Sequence, residues 1–160
     1  GLAAIESLRA LGNRRIEGQA RNRVGHTLLA MARWCEAEQA YCEALVVWSP
    51  TQHPNRYEAV AGLAMALLQL GRLSEALPLA QDVLAFVEVN GLVGIVEPVL
   101  LLLNCATVFS GCGEPTQASE ALQKAADWVE MVASRIRDEV VLNAFLQRPD
   151  VQQLAQKRCV

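Results

Sequence analysis

The chain has 160 residues, of which 52% are hydrophobic and 19% charged, with a formal net charge of −3. That apolar content supports a self-standing core and excludes disorder. The negative balance excludes bulk attraction to nucleic acid or to an anionic membrane surface. No apolar run approaches the roughly 20 residues of a membrane span, and the first residues lack the basic-then-apolar order of a signal peptide.

Helical spacing organises the chain from its start. Leu2, Ile5, Leu8 and Leu11 share one helical face, and Gly12-Asn13 is expected to end that run. Residues 1–12 therefore read as the end of a second helix whose first helix lies upstream. The pattern then predicts helices over 14–31, 34–48, 55–70, 73–89, 98–110 and 115–135. Pro78 falls early in its helix, where the missing N–H is cheap. Two further segments, 138–146 and 150–158, are separated by Pro149. The stretch between 90 and 97 (N-G-L-V-G-I-V-E) is apolar for a loop and is expected to be a buried linker. No segment shows sustained strand alternation.

Three stretches repeat one pattern. Stepping +3, +9, +12, +16 and +19 from Gly25 gives Leu28, Trp34, Ala37, Tyr41 and Ala44. The same steps from Ala64 give Leu67, Leu73, Ala76, Ala80 and Val83. From Ala106 they give Phe109, Pro115, Ala118, Leu122 and Ala125. Position +7 is Ala32, Gly71 or Gly113. The physics is a pair of antiparallel helices: small residues at the anchor and at +12 allow close approach, and a glycine at +7 ends the first helix in a left-handed conformation. Large residues at the other positions fill the space between.

This pattern resembles the tetratricopeptide repeat (TPR) over most of the chain. The departures are Ala32 where glycine is usual and Pro115 where an aromatic is usual. The anchors lie 39 and 42 residues apart, against a usual period of about 34. The resemblance implies an all-α, right-handed superhelix with repeats over 14–50, 54–90 and 97–136 and a capping region over 137–160. It also implies an inner groove lined by the first helices. By spacing, that groove holds Gln19, Asn22, His26, Leu29 and Ala30 from the first repeat. The second offers Glu58, Ala61, Met65, Leu68 and Gln69, and the third Leu100, Leu103, Thr107, Ser110 and Gly111. The chaperone-binding members clamp a peptide carboxylate with lysines here; this chain offers Asn22 and His26 and no lysine. Leu100 and Leu103 are open to two readings: free for a partner, or covered by the chain's own terminal helices.

The tail is similar to the end of repeat arrays in large bacterial signalling proteins carrying an AAA or NB-ARC-type ATPase. The residues concerned are Ile136-Arg137-Asp138, Asn143-Ala144-Phe145-Leu146, and Pro149 to Leu154. The junction from Leu8 to Gly25 looks like those between their repeats.

Catalytic and cofactor motifs are missing. The chain has no G-x-x-x-x-G-K-[ST] and no G-x-G-x-x-G. No histidine stands in a local motif that pairs it with a nucleophile. The five cysteines, at 35, 42, 105, 112 and 159, lack zinc-ligand clustering and read as small apolar fillers in a reducing compartment. No metal and no cofactor is expected. Arg14, Arg15, Arg21 and Arg23 form one basic cluster with acidic neighbours, narrower than a nucleic-acid face requires.

The expectation is thus a non-catalytic, cytoplasmic protein-interaction and sensory scaffold, the repeat region of a larger bacterial signalling or transcriptional regulator. Its ligand is a protein, a peptide or an upstream domain of its own chain, with no nucleic acid and no membrane. The alternative is a free-standing peptide-binding adaptor or secretion chaperone; further off stands a nucleic-acid-binding helical repeat. A unit of a solenoid is covered by its neighbour, so Leu2, Ile5 and Leu8 define a self-association edge. Sedimentation should detect a concentration-dependent homodimer. Leu2→Glu with Leu8→Glu should give a monomer of unchanged helical content; a wild type that stays monomeric at high concentration removes that edge.

Overall fold

The computed structural model describes the backbone of residues 2–158 and the side chains of residues 12–158. Eight helices follow one another among these residues: α1 Leu2–Ala30, α2 Trp34–Trp48, α3 Arg56–Gln69, α4 Leu73–Asn90, α5 Pro98–Gly111, α6 Pro115–Arg135, α7 Glu139–Leu146 and α8 Pro149–Arg158. Antiparallel pairs α1/α2, α3/α4 and α5/α6 stack through α2 on α3 and α3 on α5, which makes an all-helical superhelix. No helix is long and apolar enough to cross a membrane among the described residues.

The first helix corrects the sequence reading. No break occurs at Gly12-Asn13, and α1 runs unbroken through both residues. Neither residue takes a positive φ. A helix-interior glycine costs about 1 kcal/mol relative to alanine, less than an uncapped break would forfeit in hydrogen bonds. Residues 1–12 therefore do not end a separate helix. Leu2, Ile5 and Leu8, the expected self-association edge, lie outside the residues whose side chains are described.

The ends of the three first helices share one device. Arg33 N–H donates to Leu28 O at 2.9 Å, Arg72 N–H to Leu67 O at 2.9 Å, and Glu114 N–H to Phe109 O at 2.8 Å. Each closing bond spans a residue in the left-handed region: Ala32 (φ 56°), Gly71 (φ 77°) and Gly113 (φ 80°). These are C-terminal caps of the Schellman type. Only Ala32 meets the Cβ–carbonyl crowding that this region imposes.

The small positions also act as the spacing requires. Ala37, Ala76 and Ala118 are buried between helices. A Cβ at Gly25 would lie 2.5 Å from Tyr41 Cε1, and one at Gly62 would collide with the same ring. Pro98 and Pro115 stand in the first turns of α5 and α6, where a missing N–H leaves no bond unmade. The linker after α4 differs from expectation in being only partly buried: Ile95 joins the core, whereas Val93 is 85% exposed.

The last two helices differ in how firmly they are held. Asp138 caps α7 by accepting from Val140 and Val141 N–H, but no α7 residue is buried. In α8, Val151 and Leu154 are buried, and Leu154 enters the main core beside α5 and α6.

Ala32→Gly should raise the stability to urea denaturation by about 1 kcal/mol, the left-handed penalty less the glycine's greater unfolded freedom. Gly25→Ala and Ala37→Leu should each lower it by about 1–3 kcal/mol through overpacking.

Candidate functional site

A polar cluster lies beneath the inner face, where α1, α2 and α3 meet. Its centre is Glu58, 2% exposed. Glu58 Oε1 accepts from the main-chain N–H groups of Val96 and Glu97, both at 2.6 Å. These amides stand just ahead of α5, where a carboxylate also meets the positive end of the helix dipole. Asn55 Oδ1 shares the Val96 N–H at 3.0 Å. Asn22 Nδ2 donates to Asn55 O at 3.1 Å and reaches Glu58 Oε2 at 3.4 Å, while Asn22 Oδ1 accepts from Trp48 Nε1 at 3.2 Å.

His26 connects this cluster to the surface. Its Nδ1 lies 2.8 Å from the Tyr41 hydroxyl and its Nε2 3.6 Å from Glu58 Oε2. The Nδ1 and the Tyr41 hydroxyl share one hydrogen bond, whereas Nε2 is buried and has no hydrogen-bond partner among the described residues. Burial, and then the charge of Glu58, push the Tyr41 phenol far above its ordinary range, so the hydroxyl stays a donor. Burial likewise holds the Cys105 thiol up at about 12, which leaves it an unreactive core filler.

Above His26 an open groove of about 510 Å³ lies between α1, α5 and the start of α8. Arg23, His26 and Thr27 form one wall, Leu100 contributes an apolar surface, and Arg148 and Gln153 stand opposite. Arg148 is held by Glu97 at 2.7 Å and Asp150 at 3.0 Å. Arg23 has no ion-pair partner among the described residues, whereas Arg21 is matched by Glu43 at 2.6 Å and Glu17 at 3.1 Å. Within the basic cluster Arg21 is thus neutralised, and the guanidinium of Arg23 borders the groove.

The expected groove residues divide. His26 and Leu100 line the groove. Leu29, Met65, Leu68 and Thr107 are half-buried. Leu29 packs against the Tyr41–Trp48 core, and Leu68 lies against Gly111. Asn22 is 1% exposed and is corrected from a groove residue to a buried hydrogen-bonding one. Leu103, 2% exposed, is likewise off the surface. Thr107 accepts from Lys157 Nζ at 3.3 Å. On the third repeat's inner face Leu103 is thus part of the main core, and Leu100 borders the groove. Spacing also placed Glu58 and Ala61 in the groove, yet both are buried. A glutamate and an asparagine at close-packed helical positions were the available signal for the cluster.

Glu58→Ala should lower stability by about 2–4 kcal/mol, because two main-chain donors lose their acceptor in a buried site. Amide hydrogen exchange at Val96 and Glu97 should quicken more than in the remainder of α5.

No protein-family model matches the chain, and no curated protein matches it. Among solved structures, the crystal structure of the TPR domain of Arabidopsis FLU is similar: TM-score 0.55 and 18% identity, over 74% of this chain and 98% of that one. The fold is therefore a tetratricopeptide-like helical superhelix.

Proposed function

We propose that this chain is a non-catalytic protein-interaction scaffold that receives a segment of a protein partner in the groove between α1, α5 and α8. The observation that carries this reading is the groove's composition: an apolar surface at Leu100 bordered by Arg23, Thr27 and Gln153. The Thr27 hydroxyl is spent on Arg23 O at 2.9 Å, so Arg23 and Gln153 carry the unpaired hydrogen-bonding groups. Such groups around an apolar contact suit a peptide, whose main chain and side chains need both. Arg23 favours a segment that brings a carboxylate or a carbonyl to that wall.

The setting follows from the tail residues Ile136 to Leu154 and their resemblance to bacterial signalling arrays. The chain is the repeat region of a larger signalling or transcriptional regulator, and its ligand is a separate protein or an upstream domain of the same polypeptide. Docking then biases an on/off equilibrium of the attached domains. The free thiols of Cys35, Cys42, Cys105 and Cys112 accord with a cytoplasmic location.

Selection from a displayed random peptide library tests the groove. Selected peptides should lose at least about tenfold in affinity, one hot-spot contact's worth, on Leu100→Asp or Arg23→Glu, with circular dichroism unchanged. Peptides that bind both variants as they bind the wild type would remove the groove as the docking site.

A further inference from the structure

A second cleft shares no residue with the groove. It has a volume of about 450 Å³ and is bounded by the end of α4, the linker after it and α6. Leu92, Val93, Trp128 and Met131 supply its apolar surface. Met131 is 39% exposed, and Val89, on the same end of α4, is 84% exposed. Large apolar side chains gathered in the open around a concavity mark a contact surface, whereas singly scattered ones carry no such meaning.

The rim is acidic. Glu88 and Asp127 border the cleft, and neither has a cationic partner within 4.0 Å among the described residues. Asp127 accepts only from the neutral Gln123 amide, at 2.7 Å. The single rim cation, Lys124, is matched by Glu120 at 3.5 Å. An apolar cleft under an uncompensated negative rim selects its occupant by charge. An acidic segment or an anionic lipid surface is repelled, and a basic one is steered in.

We infer that this cleft is a second docking site, which takes a bulky apolar side chain of a protein segment flanked by lysines or arginines. The apolar insertion supplies the affinity, and the rim carboxylates choose the partner. The site gives the scaffold two faces of different chemistry, so that two segments can be held at once. It stands independently of the groove reading.

A fluorescein-labelled helical peptide of leucine, tryptophan and lysine tests it, against a twin with glutamate at every lysine. Fluorescence anisotropy should give about tenfold or more tighter binding of the basic peptide. Val93→Asp with Met131→Asp should abolish that binding, and Glu88→Lys with Asp127→Lys should reverse the preference. The groove variant Leu100→Asp should leave both affinities unchanged, which separates failure here from failure of the groove. Circular dichroism of each variant confirms that the fold persists. Three results would each overturn the inference. They are equal binding of both peptides, loss of binding in the groove variant alone, and a homodimer or attachment to phosphatidylserine vesicles that Val93→Asp with Met131→Asp abolishes.

Discussion

The carboxylate of Glu58 sits where a carboxylate is most expensive, in a packed interior with no fully buried cation beside it. Two kinds of group offset the lost water: two main-chain amides ahead of α5 and the Asn22 amide. A leucine would fill the volume and leave those amides without an acceptor, so polarity here is a requirement of position. One residue of α3 thereby fixes where α5 begins and how the preceding linker turns. It also fixes what lies under the groove's α1 wall. Burial of Val99, Leu102 and Phe109 on α5 is non-directional and would tolerate a slip; hydrogen bonds at 2.6 Å do not.

The terminal helix makes the inner face unequal along its length. At one end, α1 presents Arg23, His26 and Thr27 to an open groove, with Arg148 and Gln153 on its far side. At the other, α8 packs on α5 and its Lys157 reaches Thr107. A repeat array otherwise offers similar surface at each unit. Here the self-covered unit leaves the polar end as the available portion. The acidic cleft on α4 and α6 adds a surface of opposite character.

What was legible in the sequence is what short-range physics determines. Helix positions follow from apolar periodicity. The helix ends follow from Gly71 and Gly113, and the starts from Pro98 and Pro115. Each of these acts within a few residues of itself. The failures share one cause too. Gly12-Asn13 carries a helix-stop signal, but nothing adjoining it rewards a turn, and the ladder of hydrogen bonds continues. Asn22 and Glu58 occupy face positions by spacing, and their burial is decided by Trp48, Asn55 and the linker, all more than 25 residues from Asn22 or on another helix. The contact of Thr107 with Lys157 depends on where α8 lands, 50 residues along the chain, which no local pattern encodes.

Tyr41 lies with its ring between Gly25 of α1 and Gly62 of α3. Two helices from successive units thus rest on opposite sides of one aromatic plate carried by the helix between them. The advance of the superhelix from one unit to the next is set there by the thickness of a ring, a dimension that neither thermal repacking nor a conservative aliphatic exchange reproduces. Curvature of the inner surface is consequently written into a side chain that never reaches it. Sequences that keep the groove's own residues but alter this spacer would present the same groups at a different pitch.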